Sequence, residues 1–282
     1  EELHNKKQVF AEVEAIVSPE CILATNTSSL SVTAMAEDLK HPERLVGFHF
    51  FNPVAVMPLL EIVRAPKTDD AVLATAFELA KGLKKTAVLV KDAAAFVVNR
   101  ILLRLMGEVI AAFDEGTPAE VADSALRPMG LPMSPFTLSA MVGLPVAQHV
   151  QESLHAAFGD RFPVSQNLQK LIDNGVKSLW VPGPDGTPVI PAETLAIMSF
   201  GNTPSTGEQV LRRTQDALAE EIGLMLEEGV VAGPEDIDLC VIMGAGWPMF
   251  LGGITPYLDR VGASERVNGK RFLAPGGASA SA

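Results

Sequence analysis

Three short stretches hold residue types that can do acid–base or ligand chemistry. The first is His49-Phe50-Phe51-Asn52-Pro53, followed by Met57 and Glu61. His49 lies near the end of the apolar run RLVGFHF (44–50), and Glu61 lies inside the next run, LLEIV (59–63). An imidazole backed by a buried carboxylate has a raised pKa and a fixed tautomer, which suits a general base. The same pair can equally be a staple between two strands, because structural ion pairs also perturb titration. The residues alone leave both readings open.

The second stretch is Asn26-Thr27-Ser28-Ser29, directly after CILAT (21–25). Loops at the carboxyl ends of strands line the ligand crevice of doubly wound sheets, so small hydroxyls there can bind substrate or cofactor. They can also cap a helix, with Thr27 or Ser28 as N-cap of SLSVTAMAEDL. The third is Asn99 in Phe96-Val97-Val98-Asn99-Arg100, a polar residue at an otherwise apolar helix start. It reads as a ligand contact, a cap or a satisfied core amide. Other chemistries are missing. There is no G-x-G-x-x-G, no phosphate-binding P-loop and no nucleophile-elbow serine. His4, His41, His49, His149 and His155 show no metal-ligand spacing, and no metal is expected.

The elements that must position these residues follow from periodicity. Four short apolar runs, CILAT, RLVGFHF, LLEIV and TAVLV (86–90), alternate with helical patterns, which implies a mostly parallel α/β sheet. Only FNPVAVMP joins RLVGFHF to LLEIV, too short for a parallel crossover, so these two strands are expected to run antiparallel and to set His49 beside Glu61. Beyond about residue 95 the pattern is all-α. Phe96 to Glu115 reads as a long amphipathic helix, and Thr117-Pro118-Ala119-Glu120 as a capping box opening the next. Residues 175–207, with VPGPDGTPVIP, read as a turn-filled linker. Residues 107–136 and 220–250 can be laid side by side, each with a helix ending in acidic residues and Gly, a Pro-led helix and a Gly-x-Pro-Met turn. A duplicated helical unit whose copies pack together is expected. The expected divisions are 1–93, 94–200 and 201–282, the last with a disordered Ala/Gly/Ser tail.

Composition narrows the partners. A formal net charge of −12 argues against nucleic acid and anionic membrane surfaces. No apolar run reaches the ~18 residues of a membrane span. Cys21 and Cys240 sit in apolar runs and read as reduced and buried, in keeping with the cytoplasm. The chain has no initiator Met and opens within a helical pattern, so further sequence upstream is expected.

Taken in order, ATNTSSL (24–30), GFHFFNPVAVMPLLEIV (47–63), KDAAAFVVNR (91–100) and GLPMSPF (130–136) resemble the 3-hydroxyacyl-CoA dehydrogenase family. The second helical copy resembles the C-terminal repeat of multifunctional fatty-acid oxidation enzymes of the alpha-subunit type, the acidic actinobacterial ones most. The resemblance implies the C-terminal half of a Rossmann-like dinucleotide-binding domain, two repeated helical domains, and NAD-dependent oxidation of an L-3-hydroxyacyl-CoA. It implies His49 as base, Glu61 as its carboxylate, Ser28 at the substrate oxygen and Asn99 at the substrate group. Asn52, Ser28, Glu1 and Lys6 would contact NAD. The partners implied are an acyl-CoA thioester, a thiolase subunit or a second copy, with an enoyl-CoA hydratase carried upstream. Three features depart from the family: Ala94-Ala95 stands where it has Pro-Gly, the Gly-Lys-Lys-Thr-Gly-x-Gly-Phe-Tyr stretch of its short members, with a contact to NAD, is absent, and the Gly-rich first βαβ unit is lacking. The alternative is therefore a non-catalytic folding or dimerisation module, inactive alone for want of the Gly-rich loop.

Overall fold

The computed structural model describes residues 3–184 and 186–274. Glu1 and most of the Ala/Gly/Ser tail lie outside them. The first part runs α1 (Leu3–Ile16), β1 (Leu23–Thr25), α2 (Val32–Ala36), β2 (Leu45–Phe50), β3 (Leu59–Arg64), α3 (Asp70–Gly82) and β4 (Thr86–Lys91). The strands lie in the order β1-β2-β3-β4. β1 is parallel to β2 and β3 to β4, while β2 and β3 are antiparallel, as the short connection requires.

Register decides which side chains share a face. Val46, Leu60 and Ile62 form a core with Val72, Leu73, Ala76 and Ala80 of α3. That helix presents an apolar stripe at helical spacing, in which burial of Val72 and of Leu73 contributes roughly 1.5–3 kcal/mol each. Asp69 starts the helix, its carboxylate accepting from Ala71 N at 3.3 Å. The opposite face carries Gly47, His49, Glu61 and Val63. A Cβ on Gly47 would stand 2.4 Å from Val63 Cβ and 3.2 Å from Val32 Cγ2, so glycine lets α2 close onto the strand beside His49.

The rest runs α4 (Val98–Asp114), α5 (Ala119–Ser124), α6 (Pro135–Val142), α7 (Leu144–Phe158), α8 (Gln166–Asp173), β5 (Val181–Pro182), β6 (Pro188–Val189), α9 (Ala192–Ile197), α10 (Gly207–Glu227), α11 (Pro234–Ala245), α12 (Ile254–Arg260) and α13 (Ala263–Asn268). Several details differ from the sequence pattern. α4 starts at Val98 rather than Phe96, because Ala95 and Phe96 adopt φ of +58° and +52°, which a right-handed helix excludes. The expected capping box does not form. Pro118 takes the N-cap position, and the Thr117 hydroxyl instead accepts from Ser205 N at 2.9 Å. The expected linker holds the antiparallel β5–β6 hairpin and α9. Both cysteines are free, but Cys21 is only half-buried. No helix among the described residues is long and apolar enough to cross a membrane.

Compact units cut across the boundaries read from the sequence. One comprises Glu1–Arg100, Ile222–Asp259 and Arg271–Ala282; the other comprises Ile101–Glu221 and Arg260–Lys270. The physical reason lies in α11, which returns to the sheet. A Cβ on Gly244 would meet Leu59 Cδ2 at 2.6 Å and Val98 Cγ2 at 2.9 Å, so its absence lets the helix lie directly on β3. Lys91 N also donates to Val230 O at 2.8 Å.

The duplication shows in charged pairs. Laying Gly116 beside Gly229 also aligns Arg100 with Arg213 and Glu115 with Glu228. In the first unit Arg100 forks onto Glu228 at 2.8 and 3.1 Å. In the second, Arg213 forks onto Glu115 at 2.7 and 3.3 Å. Each unit therefore joins an arginine from one copy to a glutamate from the other, a reciprocal pair of charge-assisted contacts. The second unit also buries Glu221 completely, with Arg161 Nη1 at 3.1 Å and Arg104 Nε at 3.9 Å.

Candidate active site

His49 and Glu61 are direct cross-strand partners on one face of the sheet. His49 Nδ1 and Glu61 Oε2 are 2.7 Å apart. His49 is 5% exposed and Glu61 is fully buried. The other carboxylate oxygen accepts from Val97 N at 3.2 Å and Val98 N at 3.1 Å. These amides open α4, where no helical carbonyl can satisfy them and the positive end of the helix dipole points. Glu61 is thus matched by three donors in a dry place, which is what a buried carboxylate needs. With Nδ1–H donating to Glu61, Nε2 is left as the acceptor, an assignment that follows from the hydrogen-bond network.

Two phenyl rings fix the imidazole. Phe51 meets it edge-on with centroids 4.6 Å apart, and Phe96 lies at 5.5 Å. The left-handed backbone at Ala95 and Phe96 is strained for non-glycine residues. It turns the chain so that the Val97 and Val98 amides aim at Glu61 while the Phe96 ring rests against His49. The tight turn is kept although alanine stands where the resembling family has glycine.

Of the remaining expected residues, Ser28, Asn52, Asn99 and Lys6 lie around the same end of the sheet. Ser28 follows β1 and Asn52 follows β2, and those strands are parallel neighbours in register. Asn52 is exposed and Ser28 half-buried. Neither Thr27 nor Ser28 caps α2. Ser31 does so, accepting from Ala34 N at 3.1 Å, while the buried Thr27 hydroxyl accepts from Leu30 N at 3.0 Å. Asn99 stands half-exposed just after the amides that hold Glu61. Lys6 of α1 lines a cavity of about 230 Å³ with Phe10, Ala24, Thr25 and Asn26. Glu1 lies outside the described residues. The donors at these loop ends, an ammonium, amides and a hydroxyl, suit the carboxamide and ribose hydroxyls of a nicotinamide nucleotide.

Several supporting residues escaped the sequence reading. The Asp92 carboxylate, just past β4, accepts from Ser31 Oγ at 2.8 Å, Thr33 Oγ1 at 2.6 Å, Thr33 N at 2.7 Å and Val32 N at 3.1 Å. It anchors the helix that follows the Ser28 loop. Its signal was present in the KDAAAF motif, but no role could be read for it. Cys240 of α11 approaches Glu61. Burial, and then the neighbouring carboxylate, push its thiol well above the usual range, so it is an inert space-filler. Two larger cavities, of about 490 and 560 Å³, are lined by neither His49 nor Glu61.

A mixed sheet with polar loops at one end and a buried His–Glu pair on its face, followed in the chain by a duplicated helical region, defines a Rossmann-like nucleotide-binding protein with a helical second part. Residues 1–93 match the NAD binding domain of 3-hydroxyacyl-CoA dehydrogenase, and residues 96–179 match its C-terminal domain. The chain belongs to the 3-hydroxyacyl-CoA dehydrogenase family. It is 36% identical to the fatty acid oxidation complex subunit alpha of Idiomarina loihiensis, over 97% of this chain and 40% of that protein. Among solved structures it resembles 3-hydroxybutyryl-CoA dehydrogenase from Escherichia coli K12, with TM-score 0.74 and 25% identity over 97% of this chain and 78% of that one. The dehydrogenase part of multifunctional enzyme 1 from C. elegans gives TM-score 0.55 and 26% identity over 96% of this chain and 66% of that one. The chain spans about 40% of the length of the curated relatives it matches.

Proposed function

We propose that this chain carries the NAD-dependent oxidation of L-3-hydroxyacyl-CoA to 3-ketoacyl-CoA in fatty-acid β-oxidation. The observation that carries the reading is the dyad: a buried Glu61 holding Nδ1 of His49 so that Nε2 is free to take a proton. The nicotinamide, when bound, accepts the hydride from the substrate carbon. His49 takes the hydroxyl proton as alkoxide character develops, and Glu61 balances the imidazolium that results. Asn99 and Ser28 orient the oxygen from which that proton leaves. Asn52 and Lys6, with Glu1, hold the cofactor.

The relatives' name, subunit alpha of a fatty acid oxidation complex, supports assembly with another subunit. We take a thiolase as that partner, an enoyl-CoA hydratase as an accompanying domain, and the cytoplasm as the setting. The test follows NADH absorbance with acetoacetyl-CoA in the full-length protein. His49→Gln is expected to lower turnover roughly 10²–10⁴-fold, the usual contribution of a general base, with an unchanged melting temperature. Wild-type turnover by that variant would return the pair to a structural staple.

A further inference from the structure

The loop from Phe51 to Pro58 joins the two halves of the dyad, with His49 before it and Glu61 after it. It carries Phe51, which packs on His49, and Asn52. Pro53 to Val56 are exposed, so apolar packing gives this segment little support. Its own backbone closes one turn, with Val56 N and Met57 N donating to Pro53 O at 2.9 and 3.0 Å.

The external restraint comes from Lys85. Its ammonium donates to the carbonyl of Val54 and, at 2.7 Å, to that of Met57. The neighbouring Thr86 N donates to Pro58 O at 2.8 Å. Lys85 is itself held firmly. Lys84 takes a left-handed φ of +57° at the end of α3, and Lys85 N donates to Ala80 O at 2.9 Å. A half-buried cation with three donors therefore grips two carbonyls of a strand-to-strand loop from a rigid helix end.

We infer that Lys85 is a positioning residue: it holds the 51–58 loop so that Phe51 and Asn52 stand correctly against His49 and the nicotinamide. This inference rests on the dehydrogenase reading above. Charge matters here, because a hydrogen bond from an ammonium is stronger than one from a neutral donor. An alkyl chain of the same length would fill the space without gripping the carbonyls.

The experiment uses the full-length protein and three variants: Lys85→Met, Lys85→Arg and His49→Gln. For Lys85→Met, the KM for NADH is expected to rise about tenfold, the scale of one charged hydrogen bond, with kcat within about threefold. Direct NADH titration should show the same weakening, and Lys85→Arg should restore most of it. A lowered melting temperature with unchanged NADH binding and unchanged KM would overturn the inference and leave Lys85 as a fold residue. An inactive His49→Gln beside a kinetically normal Lys85→Met would overturn the inference but keep the dehydrogenase reading. A fully active His49→Gln would overturn both.

Discussion

Glu61 and Glu221 are both fully buried, yet their surroundings give them different work. Glu61 faces an imidazole and two backbone amides. Glu221 faces the guanidinium groups of Arg161 and Arg104. A guanidinium has no acceptor and keeps its proton throughout the accessible pH range, so that pair only holds structure. An imidazole can take a proton on its far nitrogen while the carboxylate steadies the near one. Burial of a carboxylate thus suits the proposed base only when its partner can exchange a proton and still has a face left for a ligand.

Breaking each glutamate should separate the two roles. Glu61→Gln keeps the shape but removes the preference for Nδ1–H, and turnover is expected to fall roughly 10³–10⁴-fold. A loss under tenfold would erase the contrast. Glu221→Gln takes the buried countercharge from Arg161, while Arg104 keeps Glu108 and Glu220. It should cost about 1–3 kcal/mol in denaturant unfolding, the range for a lost charged hydrogen bond, with kcat and KM unchanged. Altered kinetics at equal stability would show that the second unit's carboxylate also serves the reaction.

A third acid sharpens the comparison. Burial pushes Asp238 up to about 6 despite donation from the Thr255 hydroxyl and the Thr255 and Ile254 amides. Its folded value is raised, so its contribution to stability is complete below the ordinary value of 3.8 and is lost as pH rises to about 6. That shift corresponds to about 3 kcal/mol. Melting curves between pH 4 and 7 should show wild type losing stability relative to Asp238→Asn as pH rises, and parallel curves would contradict the burial effect. The smallest change is expected at Ala95, whose left-handed backbone costs an alanine about 1 kcal/mol. Ala95→Gly should raise the melting temperature by a degree or two, and a decrease would show that the turn is relaxed.

The dyad was legible because two local facts sufficed: a connection too short to cross over, and alternation that places His49 and Glu61 on one face. The Val97 and Val98 amides were not legible, since backbone donors leave no trace in residue type. Helix starts depart from the sequence pattern where tertiary contacts override local chemistry. Thr117 has a capping sequence, but its hydroxyl is taken by Ser205 N, and Ser28 yields the α2 cap to Ser31. The duplication could be read from spacing alone. The use of its second half to cover the sheet could not, because Gly244 earns its place only by what lies beneath it.

The crossed arginine–glutamate pairs have a consequence for how the chain is made. Arg100 meets its partner 128 positions later, at Glu228. A ribosome must therefore release almost the whole helical region before the sheet-bearing unit can close. Until then the nascent strands wait with one face bare, and that interval is where a chaperone would be most needed. Once closed, the clasp works the other way: a single nick within VPGPDGTPVIP would leave two polypeptides still fastened together.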